Sequence, residues 1–165
     1  MAPNWVQNKH EKEKWQKPWT VGLSSEQDKD FKAKCWERGL LSPNFTRAEA
    51  ASKQGANCPR VEVPEGAPRR QAQYHAFCLE RVRHKIGDKP MRNVSWGRSP
   101  CHNSEVGGAS ASQHMNWWAT DWESTGDAFD NAMEEVFANG GRGYQGVVGG
   151  RIRHVDNGPA RVWTY

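Results

Sequence analysis

The chain has 165 residues, including nine Trp, sixteen Gly and nine Pro, and a formal net charge of +4 at pH 7. This length favours one domain with a single modest core, and the abundance of Gly and Pro argues against a helical bundle. Lys and Arg are interspersed with acidic residues and form no block of like charge, so nucleic acid is not an expected partner.

The N-terminal segment is polar and rich in tryptophan. Its start, MAPNWVQNKHEKEKW, lacks an apolar run, and no other stretch is apolar for long enough to span a membrane. We therefore expect no signal peptide and no membrane partner. Four tryptophans are too many for a disordered tail, so residues 1–40 are predicted to form an extension packed on a domain of residues 41–165. The tryptophans are Trp5, Trp15, Trp19 and Trp36.

The first half of the domain predicts two helices joined by a loop. Thr46, with Glu49 three residues later, matches a helix capping box, so we expect a short helix within residues 42–51. Residues 57–68 contain three prolines and are predicted to be a loop. The best-defined helix runs over about 68–86, because apolar residues recur there at helical spacing and a glycine follows. These apolar residues are Ala72, Ala76, Leu79, Val82 and Ile86.

The second half predicts strands and one more helix around a long polar loop. The Gly- and Ser-rich run from Arg98 to His114 is predicted to be that loop. The expected elements are strands at 91–96 and 117–122, a helix over about 126–138 capped by Ser124 or Thr125, and a hairpin of strands 143–148 and 151–156 turning at Gly149-Gly150. We therefore predict an α+β fold with a small central antiparallel sheet flanked by helices.

The four cysteines are widely spaced and form no CxxC pair, which argues against a zinc ribbon or a thioredoxin-like motif. The spacing permits one or two disulfides. Buried free thiols are the favoured interpretation, because no export signal is expected. The cysteines are Cys35, Cys58, Cys78 and Cys101.

Three candidate metal ligands come from separated parts of the sequence. His114 and Asp121 lie seven residues apart, and His154 follows forty residues after His114. One carboxylate and two imidazoles suit a zinc site with one position left for water, an arrangement used in hydrolysis. Three further histidines lie in charged segments and are predicted to be surface residues; they are His10, His75 and His84.

Two motifs carry a resemblance to a known family. The run RSPCHNSEVGGASASQHMNWWATDW, followed by RHVDNGPARVW, resembles the zinc D-Ala-D-Ala carboxypeptidase and murein endopeptidase family over roughly residues 45–163. The resemblance implies the hedgehog/DD-peptidase-like fold and a zinc ion held by His114, Asp121 and His154. It also implies hydrolysis of a peptide bond in bacterial peptidoglycan.

The same resemblance implies roles for residues around the metal. Arg98 matches an arginine that contacts the substrate, where a planar guanidinium can hold two oxygens or steady a developing oxyanion. Ser112 and Gln113 would line the same rim and bind substrate. Asp156 lies two residues after His154 on the same strand face and is expected to fix that imidazole.

Departures from the family pattern bear on catalysis. Several relatives carry an acidic general base three positions before the last ligand, where this chain has Arg151, which cannot accept a proton at neutral pH. Trp117 and Trp118 replace smaller residues and would narrow the cleft. The residue that handles the proton stays open between Asp156 and Glu105, and a solvated loop residue is the favoured reading of Glu105.

The favoured function is zinc-dependent cleavage of peptidoglycan by a phage lysin or virion-associated hydrolase. Such a protein would reside in the virion, or in the host cytoplasm before release to the wall, and its N-terminal extension would contact other virion proteins. The alternative is a phage tail or capsid protein that keeps the zinc domain without catalysis. A cell-wall binding module is a weaker third hypothesis. The bond that is cut, and the choice between carboxypeptidase and endopeptidase, stay open.

Overall fold

The computed structural model of the chain describes residues 25–138, 143–148, 150–159 and 161–163. The elements in these ranges are α1 (Ser25–Glu37), β1 (Leu40–Ser42), β2 (Phe45–Thr46), α2 (Arg47–Ala50), α3 (Ala67–Lys85), β3 (Asn93–Ser95), α4 (Pro100–Glu105), a 3-10 turn (Gln113–Asn116), β4 (Ala119–Trp122), α5 (Asp127–Met133), a π-helical turn (Glu134–Ala138), β5 (Gly143–Val148), β6 (Arg151–Asp156) and β7 (Arg161–Trp163).

A five-stranded sheet organises the domain, in the order β3-β4-β6-β5-β7. Its pairs are antiparallel except β5 with β7, which is parallel, and β1 and β2 form a separate two-stranded sheet. The predicted α+β fold is therefore confirmed, as is the antiparallel hairpin of β5 and β6. The parallel β7 was not anticipated. The strand order places β4 and β6 side by side near the middle of the sheet.

Helix α3 is the main helix packed into the core, and it matches the prediction over 68–86. Proline stands in its first turn, and Gly87 follows it with a φ of +84°, a conformation that glycine adopts without strain. Its apolar stripe is buried: Ala72, Ala76, Leu79 and Val82 have no exposed surface. The predicted capping box is also present, because Thr46 accepts a hydrogen bond from the backbone of Glu49 at the start of α2.

Two local predictions were wrong. The run from Arg98 to His114 is not only loop, since it contains α4 and leads into the 3-10 turn. Ser99 caps α4 by accepting a hydrogen bond from the His102 backbone, and Pro100 follows in the first helical position. Helix α5 begins after Gly126 without a side-chain cap. Ser124 Oγ instead accepts from the Gly126 backbone at 3.2 Å.

The preference for free thiols was wrong for one pair of cysteines. Cys58 and Cys101 form a disulfide whose Cα atoms lie 5.8 Å apart, whereas Cys35 and Cys78 are free and buried. The disulfide joins the loop before α3 to α4. The pairing depends on how these two segments meet in space, which their spacing of 43 residues does not reveal.

The N-terminal extension is described only from Ser25 onward. Trp5, Trp15 and Trp19 lie outside the described residues, whereas Trp36 is 7% exposed and belongs to the core. Its indole lies near the guanidinium groups of Arg47 and Arg69, 3.7 and 4.5 Å from the ring centroid. The division of the chain near residue 40 stays a prediction. Among the described helices, none combines the length and the apolar character needed to cross a membrane.

A buried carboxyl group lies beneath β1. Glu80 of α3 is 4% exposed and accepts hydrogen bonds from Ser42 Oγ at 2.7 Å and from the Asn44 backbone at 2.9 Å. Burial raises the pKa of Glu80 to about 7 from its ordinary value of 4.5, and the hydrogen bonds from Ser42 and Asn44 oppose this rise only partly. The folded protein therefore holds a proton on Glu80 that the unfolded chain releases at lower pH.

This raised pKa predicts that the folded protein loses stability as the pH rises. The contribution of Glu80 is fully present below about pH 4.5 and is lost as the pH rises through about 7. Glu80→Gln stays neutral, so its free energy of unfolding relative to wild type should increase by about 1 kcal/mol per pH unit over this range. Urea unfolding of chelator-treated protein at about pH 5, 6 and 7 measures this difference. Glu26→Gln, at an exposed position of α1, is the control. A pH-independent difference for Glu80→Gln would contradict the prediction.

Candidate metal centre

The three predicted ligands come from adjoining segments near the middle of the sheet. His114 lies in the 3-10 turn before β4, Asp121 lies in β4, and His154 lies in the neighbouring strand β6. The register of this antiparallel pair places Asp121 directly opposite His154. Directly opposed residues project from the same face of a sheet. Strand pairing alone therefore brings these two side chains together.

The 3-10 turn presents His114 to the same place. Ser112 caps the turn, because its Oγ accepts a hydrogen bond from the His114 backbone at 3.4 Å. Trp117 ends the turn in the left-handed conformation, with a φ of +65°. The Arg98 backbone donates to the His114 carbonyl at 3.0 Å, which joins the turn to the segment that follows β3. The position of His114 is thus fixed by contacts at both ends of the turn.

One carboxylate oxygen is the meeting point of the cluster. His114 Nε2 lies 3.1 Å from Asp121 Oδ1, and His154 Nδ1 lies 2.8 Å from the same oxygen. One donor atom from each of the three residues lies within 4.8 Å of the others. Both imidazoles are buried, with 3% exposure for His114 and 8% for His154, whereas Asp121 is half-buried. The arrangement could hold a metal ion.

The other ring nitrogens are also bonded, which orients both imidazoles. His114 Nδ1 lies 2.5 Å from the carbonyl oxygen of Trp96, and His154 Nε2 lies 2.8 Å from Asp156 Oδ2. A carbonyl only accepts, so Nδ1 of His114 carries the hydrogen and Nε2 is the nitrogen offered to the cluster. Metal-ligating histidines usually show such a partner on the second nitrogen. The partners here suit coordination through His114 Nε2 and His154 Nδ1.

Burial and hydrogen bonding act differently on the three groups. Burial lowers the pKa of His114, and the neighbouring Asp121 carboxylate opposes this fall only partly, so the imidazole is neutral at neutral pH. Burial alone would raise the pKa of Asp121, but the His114 and His154 imidazoles beside its carboxylate hold that pKa well below its usual range. Burial would lower the pKa of His154, but hydrogen bonds to Asp121 and Asp156 raise it instead. The cluster therefore contains an ionised carboxylate and at least one neutral imidazole, the forms in which these side chains bind metals.

Arg98 contacts the cluster directly. Its Nη2 donates to Asp121 Oδ2 at 3.0 Å, and its Nη1 donates to Asn103 Oδ1 at 3.4 Å. Asn103 in turn donates to the Ala109 carbonyl at 3.0 Å, which orders the glycine-containing loop after α4. The family resemblance implied a contact between Arg98 and the substrate. In the structure, its guanidinium also holds the carboxylate oxygen that the histidines do not use.

The predicted rim residues lie beside the metal ligands. Ser112 uses its hydroxyl to cap the 3-10 turn. Gln113 Oε1 accepts from the Trp118 indole at 2.6 Å and from Asn116 Nδ2 at 2.9 Å. Its side chain also packs over Gly158, where an added Cβ would lie 2.6 Å from the Gln113 side chain. These contacts fix Gln113 between the turn and the segment after β6, and the substrate-binding roles stay predictions.

The positions considered for proton transfer make other contacts. Arg151 lies three residues before His154 and is exposed, and its guanidinium pairs with Asp127 at 2.6 Å and Asp130 at 3.0 Å. Glu105 Oε1 accepts from the Asn57 backbone at 2.6 Å, which joins α4 to the loop of the disulfide. Among the contacts of the described residues, none joins Arg151 or Glu105 to the cluster.

Asp156 is enclosed rather than open to a substrate. It has no exposed surface, and both carboxylate oxygens are bonded: Oδ2 to His154 Nε2 and Oδ1 to the Gly158 backbone, each at 2.8 Å. This geometry suits the expected task of fixing His154. It does not suit exchange of a proton with a substrate, the other task considered for Asp156.

A comparison with models of known protein families gives a match to the family described as Peptidase M15 over residues 43–156. The chain belongs to the peptidase M15 family. The matched range contains all three residues of the cluster and the whole of α3, but not α1. The resemblance carried by the two sequence motifs is therefore confirmed at the level of the family.

The chain is also similar to the zinc D-Ala-D-Ala carboxypeptidase of Streptomyces albus G. It is 32% identical over 126 residues, which cover 73% of this chain and 48% of the relative. This chain thus spans about half the length of that curated relative. The name of that relative specifies zinc and the D-Ala-D-Ala bond.

His75, a residue of this M15 domain, lies buried behind the metal centre, where the sequence did not lead us to expect it. His75 was predicted to lie on the surface, but it has no exposed surface and its ring packs between Trp96 and Phe137. A signal was present, because position 75 lies on the apolar stripe of α3, three residues after Ala72 and four before Leu79. The nearest charged residues, Arg70 and Glu80, lie five positions away on either side.

His75 connects the two strands that supply Asp121 and His154. Its Nε2 lies 2.9 Å from Thr120 Oγ1, next to Asp121 in β4. Its Nδ1 lies 2.7 Å from Asn157 Nδ2, next to Asp156 at the end of β6. The amide of Asn157 can only donate through this nitrogen, so Nδ1 accepts and Nε2–H donates to Thr120. The buried imidazole of His75 thus bonds to the residue next to Asp121 and to the residue next to Asp156.

We expect His75→Phe to weaken zinc binding about tenfold, because outer contacts of metal ligands typically contribute 10–100-fold and these act one residue further away. Phenylalanine keeps the aromatic packing but leaves Thr120 and Asn157 without their partner. Competition with a chromophoric chelator measures the zinc dissociation constant.

Phe137→Leu is the matched control, because it alters packing against the same ring without removing either hydrogen bond. It should lower the free energy of unfolding by about 1 kcal/mol and leave zinc affinity unchanged. Equal changes in zinc affinity for the two variants would show that His75 contributes to packing alone.

Proposed function

We propose that this chain is a zinc-dependent peptidase that cleaves a peptide bond of bacterial peptidoglycan. The observation that carries the proposal is the convergence of His114 Nε2, Asp121 and His154 Nδ1 within 4.8 Å. Membership of the peptidase M15 family supports it, as does the name of the Streptomyces albus G relative.

The donor set fits zinc. Two imidazoles and a carboxylate are ordinary zinc donors, and three protein ligands are the usual number in catalytic sites, whereas structural sites have four. The partners of His114 and His154 on their second nitrogens also match zinc sites. When bound, zinc polarises a carbonyl group and lowers the pKa of water, which is the chemistry that peptide hydrolysis requires.

The residues around the ligands divide into positioning and contact roles. Asp156 holds the His154 ring by accepting from Nε2, and Arg98 holds Asp121 through Oδ2. Two of the five N–H groups of Arg98 are used in its bonds to Asp121 and Asn103. We propose that the others contact the substrate carbonyl or the oxyanion that develops from it. Ser112 and Gln113 are proposed to border the substrate on the other side of His114.

The substrate is proposed to be a peptide of the bacterial wall, cut either at its terminus or within a cross-link. The mildly basic charge of +4 suits a polyanionic wall. A role as a phage lysin or a virion-associated hydrolase stays a prediction from the sequence. The same holds for a contact between the N-terminal extension and other virion proteins.

One observation favours the second candidate, a structural phage protein that keeps the metal centre without catalysis. Arg151 occupies the position where several family members carry an acid, and its guanidinium is paired with Asp127 and Asp130. Among the described residues, the carboxylates bonded to the two ligating imidazoles are Asp121 and Asp156. Asp121 is a ligand and Asp156 is enclosed, so neither is an evident general base.

Activity on purified peptidoglycan separates the two candidates. Zinc-loaded protein is expected to release new amino groups from sacculi, chelator should stop the release, and added zinc should restore it. His114→Ala should lose stoichiometric zinc by elemental analysis, and amine release should fall about 100-fold or more.

The matched control is His84→Ala, since His84 is a half-exposed histidine in the last turn of α3 whose Nδ1 lies 3.4 Å from Asp88. It should keep both zinc and activity. Absence of release by zinc-loaded wild type on several wall chemotypes would favour the structural candidate. Unchanged zinc content in His114→Ala would show that the ligands are assigned wrongly.

A further inference from the structure

A groove of about 680 Å³ lies along the helices α1 and α3 and reaches Trp118, the residue before β4. Its lining includes Trp118, whose indole donates to Gln113 at 2.6 Å and whose carbonyl accepts from the Asn157 backbone at 3.0 Å. Gln113 directly precedes the ligand His114. One wall of the groove is therefore part of the rim of the metal centre.

The groove carries an excess of positive charge. Four basic residues line it, Lys29, Lys32, Arg69 and Arg70, together with two acidic residues, Asp28 and Glu65. Lys32 pairs with Asp28 at 2.9 Å and Arg69 pairs with Glu65 at 3.2 Å. Lys29 and Arg70 are exposed, and within the described ranges no carboxylate pairs with either. Two cations are thus left for an anionic ligand.

Aromatic surface lies among these charges. Tyr74 is 44% exposed and Trp118 is half-buried, and both line the groove. Binding sites for organic ligands commonly combine apolar walls with a few convergent polar groups. Aromatic rings beside cations suit a peptide that presents carboxylates along an otherwise apolar backbone. A neutral glycan chain would leave the two unpaired cations without a partner.

One wall of the groove lies outside the family match. The residues of α1 that line it, including Lys29, precede residue 43, where the match to the peptidase M15 family begins. Arg70 and Tyr74 lie within the match, on one turn of α3. The groove therefore forms where α1 meets the matched domain.

We propose that this groove is a substrate subsite that binds an acidic peptide next to the cleaved bond. Lys29 and Arg70 contact carboxylates of the peptide, while Tyr74 and Trp118 contact its apolar surface. The proposal rests on the proposed function, since the stem peptides of peptidoglycan carry free carboxylates. It adds a recognition element for negative charge that the metal ligands do not provide.

Charge reversal at the two unpaired cations tests the subsite. In the full zinc-loaded chain, Lys29→Glu with Arg70→Glu should raise KM for a soluble acidic stem peptide about tenfold and leave kcat within about twofold. KM for the same peptide with its side-chain carboxylates amidated should not respond to the variant. The wild-type preference for the acidic peptide should decline in about 0.5 M salt, because exposed charges are screened.

Lys89→Glu together with Arg92→Glu is the matched control, since both residues are exposed and lie outside the groove. This double variant makes the same change in net charge and should leave KM unchanged. Equal effects of the two double variants, or none from either, would overturn the subsite while leaving the peptidase intact.

Binding without turnover separates this proposal from the proposed function. Calorimetry with chelator-treated protein and the two peptides measures recognition alone. Weaker binding of the acidic peptide by Lys29→Glu with Arg70→Glu, without hydrolysis by the wild type, supports the groove and removes the peptidase. Equal binding of acidic and amidated peptides by the wild type overturns the groove. Loss of self-association in the variant, with peptide binding unchanged, would assign the groove to a second copy of the chain and also overturn the subsite.

Discussion

The metal centre depends on a single carboxylate oxygen, Asp121 Oδ1, which lies 3.1 Å from His114 Nε2 and 2.8 Å from His154 Nδ1. Two buried histidines side by side would be unfavourable if both were charged, and burial favours the neutral form of each. The ionised carboxylate offsets this cost, because it stabilises a proton on His154 while His114 stays neutral. Arg98 then balances the carboxylate from its other oxygen. Hydrogen bonds from His154 and Arg98 thus hold Asp121, and a hydrogen bond to the Trp96 carbonyl holds His114, before any metal is bound.

The precision of this cluster comes from the core of the domain rather than from the loops around it. The register of β4 and β6 places Asp121 opposite His154, and a backbone carbonyl next to β3 orients His114. Behind the sheet, His75 bonds to Thr120 and Asn157, the residues adjacent to the two acids. A change in the packing of α3 thus reaches the metal ligands through short chains of hydrogen bonds.

Periodic patterns made much of the fold predictable from the sequence. The apolar stripe of α3 and the hairpin of β5 and β6 depend on local patterns, so both were predictable from the residues alone. The cluster of His114, Asp121 and His154, which could hold a metal ion, was expected from spacing and family motifs. Contacts between distant segments did not follow. The bond from Arg98 to Asp121 and the disulfide of Cys58 with Cys101 depend on how loops meet, and no local pattern encodes that.

Two of the missed features had local signals that composition outweighed. Ser99-Pro100 is a usual helix start, yet the surrounding Gly and Ser favoured a loop over α4. His75 falls on the apolar stripe of α3, but its polar side chain and charged neighbours favoured the surface. In each case the position of the residue within a period was more informative than its chemical type.

The structure also separates metal binding from proton transfer. The register of β6 with β4 and β5 is regular from Arg151 to Asp156, so successive side chains alternate between faces. Positions 151 and 154 differ by an odd number and therefore project to opposite faces, which agrees with an exposed Arg151 and a buried His154. Arg151 therefore forms ion pairs with Asp127 and Asp130 on the face opposite the ligands and supplies no group for proton transfer at the centre. If this chain hydrolyses peptides, a group other than position 151 must transfer the proton. The contacts that hold the metal ligands do not depend on that group.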